Sequence, residues 1–479
     1  MQRKATNKRH RSKRAVIHQM PAKTYGVGAS YDERYAAGKA LRDACPRAAH
    51  ADWKPASHRP DAIKLVLEAE KGRRADLLPM RHGRMLRSPF TFYRGAALTM
   101  AFDLASTPIT GVRVQCCGDA HLCNFGGFAT PERRIIFSIN DLDETLPGPW
   151  EWDLKRLATS FIVGCRDNGL GDSTAKDMAM KCVQGYRESM AEFSRMKHLE
   201  LWFQALWAED LLASIRDLNL RQRVIRRLEK ERAKSRAEEM FPKLAETRGN
   251  LHVIRDQLPT IFHDEGFPPG QIEEAVRDTL AGYRATLPHA YKHLLDHYEL
   301  RDVAVKVVGI GSVGTSCWVA LFMAGKDDPL FLQMKEARTS VLEPYAGESK
   351  SPNHGQRVVD GYRIMQPFSD AFLGWTAGPR GRHYFVRQLR DIKISPRVET
   401  FGQLEMEIYS SWCGRALALS HARYGNSAVI SGYMGKSDAL DKAIASFALA
   451  YADQNEKDHA ALKRAVRQGH VTAVLEETA

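Results

Sequence analysis

The sequence predicts an α+β protein of two lobes, one rich in helices and one built on a small antiparallel sheet. Three observations carry that prediction. Residues 303–337 contain three β-branched or aliphatic runs separated by a glycine loop and a turn, the pattern of consecutive strands. On both sides, from Asp153 to Ile254, from Pro268 to Tyr298 and from about 396 onward, apolar residues recur at helical spacing. Ahead of these lie two apolar runs that each stop abruptly at a carboxylate, Val114 to Gly126 and Phe137 to Glu144. With 479 residues, 44% of them hydrophobic, the chain can bury a core large enough for two lobes.

In chain order, residues 1–24 hold Arg3, Lys4, Lys8, Arg9, Arg11, Lys13, Arg14 and Lys23 and no acid, so they supply most of the +13 net charge. Such an arm is expected to be a disordered basic tail, and it is the only part whose charge suits nucleic acid. The remaining expected divisions are 25–300, a helical region carrying the acidic loops; 301–395, the sheet lobe; and 396–479, helices that complete the first lobe. Asp61 to Glu70 reads as a helix. In Arg81 to Gly95, Ser88-Pro89 marks a turn, and Phe90, Phe92 and the residues after Gly95 should be buried. Arg94 sits between an aromatic and a glycine, where its guanidinium fork suits a phosphate. Pro147-Gly148-Pro149 breaks the chain before a helix that Asp153 opens near its cap. Gln356 to Gln366 and His383 to Asp391 read as further strands around the glycine-rich turn 378–381.

No apolar run approaches the roughly 20 residues of a membrane helix, and the N-terminus lacks a signal-peptide core. The eight cysteines contain no C-x-x-C pair, so neither a zinc site nor a disulfide framework is expected. The expectation is a cytoplasmic protein with reduced thiols and no membrane partner.

The chemistry concentrates in Gly118-Asp119-Ala120-His121-Leu122-Cys123-Asn124 and Ile139-Asn140-Asp141-Leu142-Asp143. An aspartate, an asparagine five residues later and a second aspartate after a short strand place a base and oxygen ligands on adjacent loops, as phosphoryl transfer with magnesium requires. Aspartate and asparagine also serve turns, so neither piece alone decides; the two in this order do. The first piece resembles the Gly-Asp-x-His-x-x-Asn catalytic loop of aminoglycoside phosphotransferases and related small-molecule kinases, and the second resembles their metal-binding Ile-Asp-Phe-Asp segment. The resemblance implies that Asp119 orients or deprotonates an acceptor hydroxyl, with His121 supporting the loop. It also implies that Asn124 and Asp141 hold magnesium against nucleotide phosphates, with Asp143 at a second metal or behind the first, and that Asp153 braces the catalytic loop.

Gly309-Ile310-Gly311-Ser312-Val313-Gly314 is a Gly-x-Gly-x-x-Gly loop. Dinucleotide-binding folds use the same spacing, but there the loop opens a helix, whereas Thr315 to Phe322 is strand-like. The loop therefore resembles the phosphate-covering loop of kinases, with Gly309, Gly311, Ser312 and Gly314 at the nucleotide. Lys335 on the third strand then fits the lysine that grips the α and β phosphates, partnered by Glu343 or Glu336. His383 to Asp391 resembles the strand entering the hinge, and Ser411 to Arg423 resembles the Leu-Ala-x-x-His-Ala helix that precedes the catalytic loop. The parts stand in rotated order, with the catalytic and metal loops ahead of the glycine loop, which implies a circularly permuted kinase-like fold. From about Arg81 onward the pattern resembles the uncharacterised bacterial proteins of domain-of-unknown-function family 2252. The implied function is an ATP- and magnesium-dependent phosphotransferase for a small hydroxyl-bearing molecule. Transfer of AMP to a protein, or nucleotide-gated regulation without catalysis, fits the same parts.

Overall fold

The computed structural model describes residues 28–234, 237–249, 251–264, 271–307, 309–389 and 393–476; the basic tail expected at 1–24 lies outside them. Helices and small antiparallel sheets share the chain. The largest sheet has the strand order Gly374–Ala377, His383–Gln388, Asp328–Ala337, Cys317–Ala324, Glu299–Lys306, Ile261–Phe262, with every neighbour antiparallel. The three strands expected within 303–337 are therefore present, joined in sequence order.

Strand alternation makes the middle strand two-faced. Leu330, Leu332 and Met334 pack with Val276 and Tyr283 of the helix Gln271–Thr286. The opposite face begins with buried Phe331 and continues with Gln333 and Lys335, so its apolar character ends where the strand runs over a cleft. Lys335 lies opposite Phe385 on one neighbour and Cys317 on the other.

The main core is helical. In the helix Trp150–Asp167 every residue from Trp150 to Cys165 is buried, as expected of a helix surrounded on all sides. Helices Asp172–Phe193, Gln403–Tyr424 and Ala439–Arg467 pack around it. The first two approach so closely that a Cβ on Gly414 would lie 2.1 Å from the Cys182 carbonyl oxygen. Among the described residues no helix is long and apolar enough to cross a membrane.

Two expectations are corrected. The strand expected over Gln356 to Gln366 is instead the helix His354–Met365, capped by the Asn353 side chain, which accepts from the Gly355 and Gln356 amides. Val358, Val359, Tyr362 and Met365 are its buried stripe, a helical spacing that the adjacent valines disguise as a strand. The helical stretch expected up to Ile254 instead ends in a hairpin, Ala245–Arg248 with Leu251–Ile254. It folds there because Ala245 and Ile254 join Leu244 beneath the sheet, and the Ile254 amide donates to Asp302.

Candidate functional site

A cleft of about 720 Å³ lies between the Lys335 face of the sheet and the loops that follow the strands Arg113–Cys116 and Ile135–Ile139. It gathers residues far apart in sequence: Arg94; Asp119, Asn124, Asp141 and Asp143; Gly309, Gly311 and Ser312; and Lys335.

The first loop is pinned by its backbone. Gly118 has φ +85, and a Cβ there would lie 2.3 Å from the Glu144 carbonyl oxygen, so only glycine makes the turn comfortably. Asp153, in the first turn of the buried helix, accepts the amides of Cys117 at 2.5 Å and Gly118 at 3.0 Å. Its carboxylate also lies 3.1 Å from His421 Nε2, and His421 Nδ1 lies 2.9 Å from the Tyr186 hydroxyl. The bracing role expected for Asp153 is thus visible, with a second layer behind it. Asn124 Nδ2 donates to the Asp119 carbonyl at 2.8 Å. Pairing of Phe125 with Ile139, and the Asn140 amide donating to the Asn124 carbonyl at 2.7 Å, bring the second acidic loop beside the first.

Asp119 reaches the cleft but most of it is buried, and burial pushes its pKa up to about 6 against the opposing Arg156 guanidinium, with Glu144 and Asp141 adding to the rise. Arg156 Nε donates to Asp119 Oδ1 at 2.7 Å, and an Nη of the same guanidinium makes an ion pair with that oxygen. Sequence reasoning missed Arg156, although it stands three residues after Asp153, on the same helical face. His121 is buried behind the loop rather than lining the cleft; its Nε2 lies 3.8 Å from Asp119 Oδ2, and its Nδ1 has no hydrogen-bond partner. Burial, together with the Arg94 and Arg156 charges, holds its pKa well below the ordinary value, so the ring is neutral at pH 7.

Lys335, only 3% exposed, places its ammonium against Asp143 and 3.7 Å from Asp141. Burial alone would depress its pKa, but the two carboxylates outweigh it and raise it. Burial and the neighbouring Asp141 charge raise Asp143; Asp141 is lowered because Lys335 and Arg387 outweigh its burial. Arg387, on the strand paired with that of Lys335, was also missed. Its Nη1 donates to the Tyr362 hydroxyl at 3.0 Å, and alternation from Phe385, opposite Lys335, was the signal.

The glycine loop does join two antiparallel strands. Its carbonyls are held from outside: Arg73 donates to Val313 at 2.6 Å and Gly311 at 2.9 Å, Arg81 donates to Ile310, and the Arg74 amide donates to Gly314 at 2.7 Å. Ser312 Oγ donates to Asp143 Oδ2 at 3.3 Å. Gly314, with φ +84, lies off the cleft and makes the turn.

The expected glutamate partner of Lys335 is not found in either candidate. Glu343 accepts the amides of Ser340 at 3.0 Å and Ser349 at 3.4 Å, and Glu336 accepts the Ser316 amide at 2.8 Å and pairs with Arg382. Glu343 begins a helix of a single turn, Glu343–Ala346, and its carboxylate is used in holding that turn. Lys335 turns to the aspartates instead.

The carboxylates of Asp141 and Asp143 and the amide oxygen of Asn124 form an all-oxygen donor set, the kind a hard divalent cation takes. Asp143 Oδ1 is buried without a hydrogen-bond partner, so the set fits magnesium. Among the described residues no group of three or more His, Cys, Asp or Glu is arranged to hold a metal, so asparagine would have to complete such a site.

Comparison with known proteins adds one match. The model of domain-of-unknown-function family 2252, described as an uncharacterized protein conserved in bacteria, matches residues 73–465. The chain belongs to that family. All the cleft residues named above, from Arg73 to Arg387, lie within the matched span. No curated protein and no solved structure matches.

Proposed function

We propose that this family 2252 protein is an ATP- and magnesium-dependent phosphotransferase acting on a small hydroxyl-bearing molecule, with a circularly permuted kinase-like fold. The observation that carries the reading is the meeting of Lys335 with Asp141 and Asp143, beside Asn124 and under the glycine loop. These residues come from segments nearly 200 positions apart, in the order the permutation requires.

On this reading Asp119 takes the acceptor's proton, and a pKa of about 6 suits a base working near neutrality. Arg156 fixes the Asp119 carboxylate in place, and neutral His121 supports it from behind. Lys335 and the amides of the glycine loop hold the nucleotide phosphates, and Asn124, Asp141 and Asp143 hold magnesium. The metal, when bound, offsets charge on the phosphoryl oxygens. Eight free cysteines suit the reducing cytoplasm, where ATP is supplied.

Calorimetry with magnesium and ATP tests the reading. Lys335→Ala and Asp141→Ala should each weaken nucleotide binding by about tenfold or more, the effect of losing a charge-assisted contact. Unchanged affinity in both variants would remove the assignment.

A further inference from the structure

Among the described residues five arginines line the cleft, and four of them are engaged by the protein itself. Arg73 and Arg81 hold glycine-loop carbonyls, Arg338 donates to the carbonyls of Ala69 and Lys71, and Arg387 donates to Tyr362. Arg94 differs. Among the described residues it makes no side-chain hydrogen bond and no ion pair, and its Nε is buried without a partner. A guanidinium N–H removed from water with nothing to accept it is unfavourable, and such groups call for an explanation.

Its position supplies one. Arg94 ends the helix Pro89–Gly95, with its guanidinium 6.0 Å from the Phe90 ring, and its charge acts on His121 and Cys123 of the Asp119 loop. It therefore stands beside the Asp119 loop, where the proposed base lies, with its backbone against Gly311 of the glycine loop. The helices Pro89–Gly95 and Ala97–Leu104 contribute Arg94, Gly95, Ala97 and Leu98 to the lining, and the acids of the cleft, among them Glu68, Asp119 and Glu144, come from other segments. An anion would find an unpaired cation whose Nε is buried.

Resting on the phosphotransferase reading, we infer that the acceptor is a small anion, a hydroxyl compound bearing a phosphate or carboxylate that Arg94 binds while Asp119 faces the hydroxyl. In the transfer step the hydroxyl oxygen bonds to the γ-phosphorus of ATP as the bridging P–O bond to ADP breaks. The hydroxyl proton passes to Asp119, and ADP leaves with the electron pair of the broken bond.

The test uses the full chain and inorganic sulfate as the probe, titrated calorimetrically with and without saturating magnesium and a non-hydrolysable ATP analogue. With the nucleotide site filled, wild type should still bind sulfate. Arg94→Gln should weaken that binding about tenfold or more, as expected for losing a charge-assisted bidentate contact, and Arg94→Lys should retain part of it. Because Arg94 makes no side-chain hydrogen bond or ion pair and has only its 6.0 Å approach to the Phe90 ring to lose, Arg94→Gln should melt close to wild type, which separates lost binding from lost folding. Sulfate affinity unchanged in Arg94→Gln overturns the inference. So does a loss of analogue affinity in that variant with sulfate binding intact, which would assign Arg94 to the nucleotide. Transfer of γ-label to kanamycin but to no sugar phosphate or hydroxy acid also overturns it. If the analogue fails to bind while sulfate binding to the protein alone still depends on Arg94, the anion site stands and the phosphotransferase reading falls.

Discussion

Replacing Lys335 with methionine keeps most of the side chain's length and removes the charge that joins Asp141 to Asp143. Losing one partner of a fully buried ion pair costs roughly 3–5 kcal/mol. Here the lysine is buried, but the Asp143 and Asp141 side chains retain 24% and 36% exposure, so solvent screens part of the loss. About 2 kcal/mol is therefore expected at pH 8. The sign of the pH dependence follows from Asp143, whose folded-state pKa is already raised by burial and by Asp141. Without the ammonium it rises further above its unfolded value, so the folded variant binds more protons than the unfolded chain and loses stability as pH increases. The penalty should be largest at pH 8 and shrink toward pH 5. Millimolar magnesium should recover part of it and stabilise the variant more than wild type. Urea unfolding followed by tryptophan fluorescence, at both pH values with and without magnesium, reads all of this. A penalty equal at both pH values and indifferent to magnesium would show that the two aspartates do not form a cation site held together by Lys335.

Two further outcomes are expected. The transfer rate should fall as pH drops through about 6, where Asp119 gains a proton, reaching about tenfold loss one unit lower; a flat profile from pH 8 to pH 5 would deny Asp119 its role as base. Gly118→Ala should lose about 2 kcal/mol or more, because alanine is strained at φ +85 and its Cβ meets the Glu144 carbonyl. An unchanged urea midpoint would mean that the loop has room to move.

Much of the cleft was legible because its residues sit in short motifs with fixed spacing. Asp119 and Asn124 lie on one loop, Asp141 and Asp143 on the next, and Lys335 follows a glycine loop by a countable number of strand residues. The bracing role of Asp153 was legible only through the resemblance to small-molecule kinases, since an aspartate at a helix start more commonly caps its own helix, whereas here it accepts the Cys117 and Gly118 amides. What the motifs could not tell was which charge pairs with which. The partner of Lys335 was sought nearby in sequence, at Glu343 or Glu336, yet local amides hold both, and the partners come from loops almost 200 residues earlier. Arg156 and Arg387 escaped because pairing across a cleft depends on tertiary placement, for which helix and strand periodicity gives the face but not the neighbour. The helix His354–Met365 was mistaken for a strand because Val358-Val359 outweighed the Asn353 cap and the wider spacing of its buried stripe.

The central claim, that the cleft transfers the terminal phosphoryl group with Asp119 as base, is tested most directly with ATP labelled separately at the α and γ positions, incubated with the pure protein, magnesium and a cell extract. Wild type should pass γ-label, and not α-label, to a small molecule. Asp119→Asn should slow that transfer by about 100-fold or more, the scale of removing a positioned base, while nucleotide affinity stays unchanged. Transfer of α-label to a protein, or an Asp119→Asn variant as fast as wild type, would contradict the account.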